Sequence, residues 1–115
     1  MGYKVGALII KDNCILLNTK TNLLGTQYDF PMWDYNPGEI PIESINSKIK
    51  EMGIKHDNKS YMGRFYIKKM NIYLYLIDKW QGKIKAKNCV WVHKAVLMMN
   101  KNSVPFDIEM LNEIF

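Results

Sequence analysis

The sequence predicts an α+β fold, a mixed β-sheet flanked by two helices, and three observations lead there. Apolar or alternating runs of strand length recur along most of the chain. Two stretches, near residues 41–52 and 106–115, switch to the three-and-four spacing of a helix. The order hairpin, strand, helix, hairpin, strand, helix interleaves the two kinds across 115 residues.

Val5 to Ile10 is a continuous apolar run, Lys11-Asp12-Asn13 a turn and Cys14 to Leu17 the returning strand, which makes a hairpin. Asn22 to Gln27 reads as a loop in which Gly25 takes the left-handed backbone. Tyr28 to Trp33 combines aromatics with Pro31, the composition of a short edge strand. Pro41 to Met52 is the first helix. Ile42, Ile45, Ile49 and Met52 form its apolar stripe, Pro41 suits its first turn, and Gly53 suits the position just past its end. Tyr61 to Lys68 and Asn71 to Trp80 form a second hairpin around Lys69-Met70. Ile72, Leu74 and Leu76 alternate there with Tyr73, Tyr75 and Ile77, so both faces are apolar and the strand is expected at the centre of the sheet. Asn88 to His93 is a further strand, Ala95 to Asn100 a short helical or turn segment, and Asn102-Ser103-Val104-Pro105 a connection. Phe106 to Phe115 closes the chain as a helix, with Ile108, Leu111, Ile114 and Phe115 turned inward and Asp107 near its start.

Composition sets the outer bounds. At 115 residues the chain is expected to form one domain over 1–115, long enough to bury a core, and 48% hydrophobic with 23% charged residues is a globular rather than a disordered balance. No apolar run is long enough to span a membrane, and Met1-Gly2-Tyr3-Lys4 lacks the layout of a secretory signal. The hydroxyl residue expected after a myristoylated Gly2 is Gly6 here, so a cytoplasmic protein without membrane association is the expectation. Cys14 and Cys89 match neither a CxxC pair nor a zinc site and read as buried free thiols, while His56 and His93 read as solvated or locally hydrogen-bonded. The net charge of +5 suits a phosphate-bearing ligand or an acidic partner. Arg64 is the only arginine, which counts against nucleic-acid recognition, where bidentate Arg contacts dominate. The excess of Lys, Asn and Ile resembles the output of an AT-rich genome, such as that of a phage, mobile element or low-GC bacterium.

Trp33-Asp34-Tyr35-Asn36-Pro37-Gly38-Glu39, followed by the helical run ending at Glu51-Met52-Gly53-Ile54, resembles the two ends of a Nudix box. Val5 to Leu17 resembles the opening hairpin of a Nudix domain, and Val90-Trp91-Val92 with Val104-Pro105-Phe106-Asp107 resembles its closing strand, proline turn and final helix. The resemblance covers nearly the whole chain and implies a Nudix-like mixed sheet. In that family the box reads G-x5-E-x7-R-E-U-x-E-E-x-G-U, with U aliphatic, and its glutamates hold Mg²⁺ or Mn²⁺ against a diphosphate. The span from Gly38 to Gly53 is six residues shorter than the motif requires. Aligned on Gly53-Ile54, the pair R-E falls on Asn46 and Ser47, and E-E on Lys50 and Glu51. Aligned on Gly38, the first glutamate falls on Ser44, one place from Glu43.

The candidate catalytic residues are therefore Glu39, Glu43 and Glu51. Glu43 and Glu51 share a helix face eight residues apart, roughly 12 Å along the axis at 1.5 Å per residue. Two short side chains so separated do not share one ion at about 2.1 Å, and Lys50 competes for Glu51 and repels a divalent cation. No metal site or cofactor is expected, and Mg²⁺ or Mn²⁺ enters only if the chain is an enzyme after all. Tyr28, Phe30, Trp33, Tyr35, Trp80 and Trp91 exceed what so small a core usually needs, and aromatic faces stack on bases. Trp33, Tyr35, Gly38 and Lys50 are the candidate ligand-binding residues, with Lys20 and Lys48 as further phosphate contacts. Three readings stay open: a non-catalytic Nudix-fold module binding a nucleotide-like small molecule or a protein partner, a divergent metal-dependent nucleoside-diphosphate-linked pyrophosphohydrolase, and a nucleic-acid-binding domain.

Overall fold

The computed structural model describes residues 3–35, 38–67, 69–99 and 112–115. Strands β1 (Tyr3–Lys11) and β2 (Cys14–Asn22) form the expected first hairpin. Asp12 and Asn13 both take positive φ, 52° and 63°, and Lys11 pairs with Cys14. Two successive positive-φ residues match the right-handed twist of the flanking strands, and Asp and Asn tolerate that backbone better than other side chains. The second connection departs from expectation. Residues 22–27 are not a loop: β2 runs on to Asn22 and pairs with β3 (Gly25–Asp29), leaving only Leu23-Leu24 as the turn. This ladder is built from polar residues such as Thr19, Lys20, Thr26 and Gln27, most of them exposed, so no apolar alternation announces it.

The single edge strand expected over 28–33 is likewise two strands, β3 and β4 (Met32–Asp34), broken at Phe30-Pro31. Phe30 is fully buried, and the Pro31 carbonyl accepts a hydrogen bond from the Ala7 amide at 3.0 Å, which fixes the break against β1. Helix α1 (Pro41–Glu51) starts with Pro41 in its first turn. It ends in a C-cap at Met52, followed by Gly53 at φ 99°. Ile45, Ile49 and Met52 are buried as expected, but Ile42 is exposed, and Ser44, to one side of the stripe, is buried.

The long hairpin of β5 (Ile54–Ile67) and β6 (Met70–Gly82) follows, then β7 (Cys89–His93) and the short helix α2 (Lys94–Met99). Strand β5 begins seven residues before the expected Tyr61, because its first half is polar and broken by register shifts at 54/56, 58/59 and 61/63. The sheet is mixed and seven-stranded among the described residues, in the order β3-β2-β1-β6-β5, with β4 on β1 and β7 on β2. Strand β6 lies parallel to β1 and antiparallel to β5, so the twofold-apolar strand is central, as its pattern requires. Its two faces feed two cores. Ile72 and Leu74 join Leu8, Phe30 and Leu97 on one side, while Tyr75 and Ile77 join Val5, Ile9, Ile45 and Ile49 under α1 on the other. The closing helix expected over 106–115 lies mostly outside the described residues, where 112–114 are helical and Ile114 is buried. Among the described residues no helix is long and apolar enough to cross a membrane.

Candidate functional site

Strand β1 changes partners along its length, and this divides the sheet. Its residues 4–6 pair with β4, whereas 10–11 pair with β2. Strand β2 carries β7 on its other edge from Cys14 to Asn18, and pairs with β3 from Asn18 onward. Between β4 and β2 is a cavity of about 190 Å³. Met32 and Trp33 line it from β4, Asn18 from β2, Cys89 from β7, and Met52 from the end of α1. Trp33 is half-buried and packs on the core beneath α1. The Cys89 thiol donates to the Asn18 side-chain oxygen at 2.9 Å, and burial pushes its pKa up, so at neutral pH it is a donor rather than a nucleophile. Apolar Pro31, Met32, Trp33, Met52 and Ala86 share the lining about equally with polar groups from Asn18, Lys87 and Cys89, a mixture that can orient a small ligand. The cavity is below the usual range of about 300–1,000 Å³ and has room for a ring rather than a whole nucleotide.

Strand β6 and its neighbours carry a group of tyrosines. Tyr73 stands 6.2 Å from Tyr3, 5.9 Å from Tyr35 and 6.5 Å from Tyr61, and Tyr61 stands 5.2 Å from Tyr75, measured between ring centres. Burial, and secondarily Tyr61, Tyr35 and Tyr73, push the Tyr75 hydroxyl above its ordinary value, so it stays protonated in neutral solution. The Tyr35 hydroxyl donates to the Glu39 carbonyl and ties down the chain entering α1. Gly38, in the same approach, has φ 94° and open space on its Cβ side.

The three glutamates go separate ways. Glu39 accepts a hydrogen bond from buried Ser44 at the start of α1. Glu43 is exposed in the first turn, and Glu51 is exposed at the far end, 3.9 Å from Lys48. Among the described residues no three His, Cys, Asp or Glu side chains gather in a way that could hold a metal ion.

Lys50 is also apart from Trp33, Tyr35 and Gly38. It lines a second pocket, of about 540 Å³, with Lys55, Lys83 and Lys85. Lys20 lines a third pocket, of about 330 Å³, over β2 and β3. Trp80 is structural: its ring nitrogen donates to the Ile10 carbonyl at 3.1 Å and its ring stacks on Trp91 with centres 6.0 Å apart. Cys14 and Cys89 are free as expected but half-buried rather than buried. His93 accepts the Ala95 amide at 3.1 Å at the start of α2, and His56 is exposed.

Sequence reasoning missed Asn18, Met52 and Cys89 at the cavity, because strands distant in sequence assemble it.

No protein-family model matches the sequence, and no curated protein matches it. Solved structures do. A MutT from work on Aliivibrio salmonicida and Vibrio cholerae aligns with TM-score 0.70 at 15% identity, over 98% of this chain and 95% of that one. A Nudix-family hydrolase from Clostridium perfringens aligns at 0.61 with 13% identity, over 98% and 92%. An ADP compounds hydrolase aligns at 0.62 with 14% identity, over 85% of this chain, which spans 62% of that longer one.

Proposed function

We propose, for a chain that has the fold of the Nudix hydrolases, a non-catalytic role in binding a nucleotide-like ligand. The base or equivalent ring enters the cavity between β4 and β2, against Trp33. One observation supports this most strongly: the scaffold keeps a cleft at its divided sheet while its carboxylates face separate partners, Glu39 on Ser44 and Glu51 beside Lys48. A fold whose scaffold outlasts its catalytic groups is suited to binding. Divergent pyrophosphohydrolase activity is the rival reading and requires those carboxylates to converge on a metal.

Trp33→Ala is expected to weaken nucleotide binding by about 1–3 kcal/mol, the scale of one lost stacking partner. Affinity across a nucleotide panel, measured beside thermal stability without ligand, checks it. Unchanged affinity in a stably folded variant would remove Trp33 from the site.

Titration with Mn²⁺ is expected to show no micromolar site, because Lys48 and Lys50 flank Glu51. Micromolar affinity that disappears in Glu51→Gln would restore the enzyme reading. A protein partner is a second reading, favoured by Leu23 and Leu24, which stand fully exposed at the tip of the β2–β3 hairpin.

A further inference from the structure

Lys50 at the end of α1, Lys55 at the start of β5, and Lys83 and Lys85 after β6 converge on one pocket of about 540 Å³. Among the described residues none of these four ammonium groups has an ion-pair or hydrogen-bond partner, whereas Lys4, Lys48 and Lys59 each face a carboxylate.

Lysines at a helix C-terminus often serve the last carbonyls and the negative end of the dipole. Here backbone amides already do so: Met52 donates to Lys48, Gly53 to Lys50, and Lys85 to the Met52 carbonyl at 2.6 Å. The side chains are left over. Like charges gathered without counterions repel one another, and that repulsion is relieved by an anion.

The pocket adjoins the Trp33 cavity. Met52 lines the cavity and Gly53 the pocket, and Lys85 lines the pocket while Ala86 lines the cavity. The Lys85–Met52 hydrogen bond runs between them.

We infer that this lysine pocket binds the phosphate chain of the nucleotide-like ligand directly, with ammonium groups in place of a divalent metal ion. The inference rests on the binding role proposed above. The pocket is concave and of small-ligand size, which favours a di- or triphosphate over an extended nucleic-acid backbone. Arg64, the one arginine, does not line it.

Calorimetric titration with inorganic pyrophosphate in metal-stripped buffer tests this. Pyrophosphate is expected to bind without metal, with no gain in affinity on adding Mg²⁺. Lys50→Gln combined with Lys85→Gln should weaken it at least about tenfold at unchanged melting temperature. The pair Lys69→Gln and Lys79→Gln, exposed lysines outside the pocket with the same charge change, should leave it unaltered. Binding only in the presence of Mg²⁺, no binding at about millimolar pyrophosphate, or equal losses in the two lysine pairs would each overturn the inference. Displacement of pyrophosphate by a far tighter oligonucleotide would overturn it in favour of a nucleic-acid surface. A nucleoside lacking phosphate separates the two proposals. If it fails to bind while pyrophosphate binds, the Trp33 cavity reading falls and the lysine pocket stands; the reverse pattern sinks the lysine pocket alone.

Discussion

Phe30→Ala is expected to lower the unfolding free energy by about 3–5 kcal/mol, a large share of the roughly 5–15 kcal/mol that holds a domain of this kind together. Phe30 is fully buried, in the core that Leu8, Ile72 and Leu74 build on the face away from α1. Its ring fits because β1 has no side chain opposite it. A Cβ on Gly6 would stand 2.8 Å from both the Phe30 ring and Leu74. Gly6→Ala should therefore cost less in the Phe30→Ala protein than in the native one, since the truncated residue vacates that space. A double-mutant cycle by urea unfolding measures both effects. Additive losses would mean that Phe30 and Gly6 do not share the space the geometry gives them. Nucleotide affinity should fall as well, because the break at Phe30-Pro31 sets the position of Trp33 on β4.

Gly53→Ala is expected to cost about 2–5 kcal/mol. The residue sits at φ 99°, where an L side chain loses about 1–2 kcal/mol. Its added Cβ would also lie 2.0 Å from the Lys83 carbonyl oxygen, and relieving such an overlap costs typically 1–3 kcal/mol more. Gly82 has the reciprocal constraint, with φ 128° and a Cβ that would lie 2.2 Å from the Gly53 carbonyl. The chain before β5 and the end of β6 run side by side there, with only glycine at the closest approach. The same contact carries Lys83 and Lys85 to Lys50, so separation of the segments should loosen the phosphate pocket together with the fold. A Gly53→Ala protein unfolding within about 0.5 kcal/mol of the native one would show that this close approach has room to spare.

The parts of the fold that could be read from the sequence are those in which one local rule suffices. The alternation in β6 announced a central strand, Asp12-Asn13 announced a tight turn, and Pro41 with Gly53 bracketed α1. The rule failed where residues are polar on both faces, as in the β2–β3 ladder, and where one run is cut by a buried anchor, as at Phe30-Pro31. Ile42 and Ser44 show a subtler limit. Spacing fits Ile42 to the apolar stripe and turns Ser44 about 100° away from Ile45, yet the hydrogen bond from Ser44 to Glu39 allows the hydroxyl to be buried while Ile42 stays outside.

The candidate site was legible only in fragments. Trp33 and Lys50 could be singled out from the loop and box they belong to, but they line different pockets. What joins those pockets is the change of partner along β1 and the close approach of the chain at Gly53 and Gly82. Neither leaves a local pattern, because each depends on residues far apart in the chain.

The most direct test of the account is an amide and indole NMR titration of the protein with a nucleoside diphosphate such as ADP, first without metal and then with Mg²⁺. The account predicts shifts at Asn18, the Trp33 indole, Met52 and Cys89, together with Lys50 and Lys85, already in metal-free buffer, and a ligand that remains intact after Mg²⁺ is added. Shifts confined to other surfaces, or ADP converted to AMP and phosphate once Mg²⁺ is present, would contradict it.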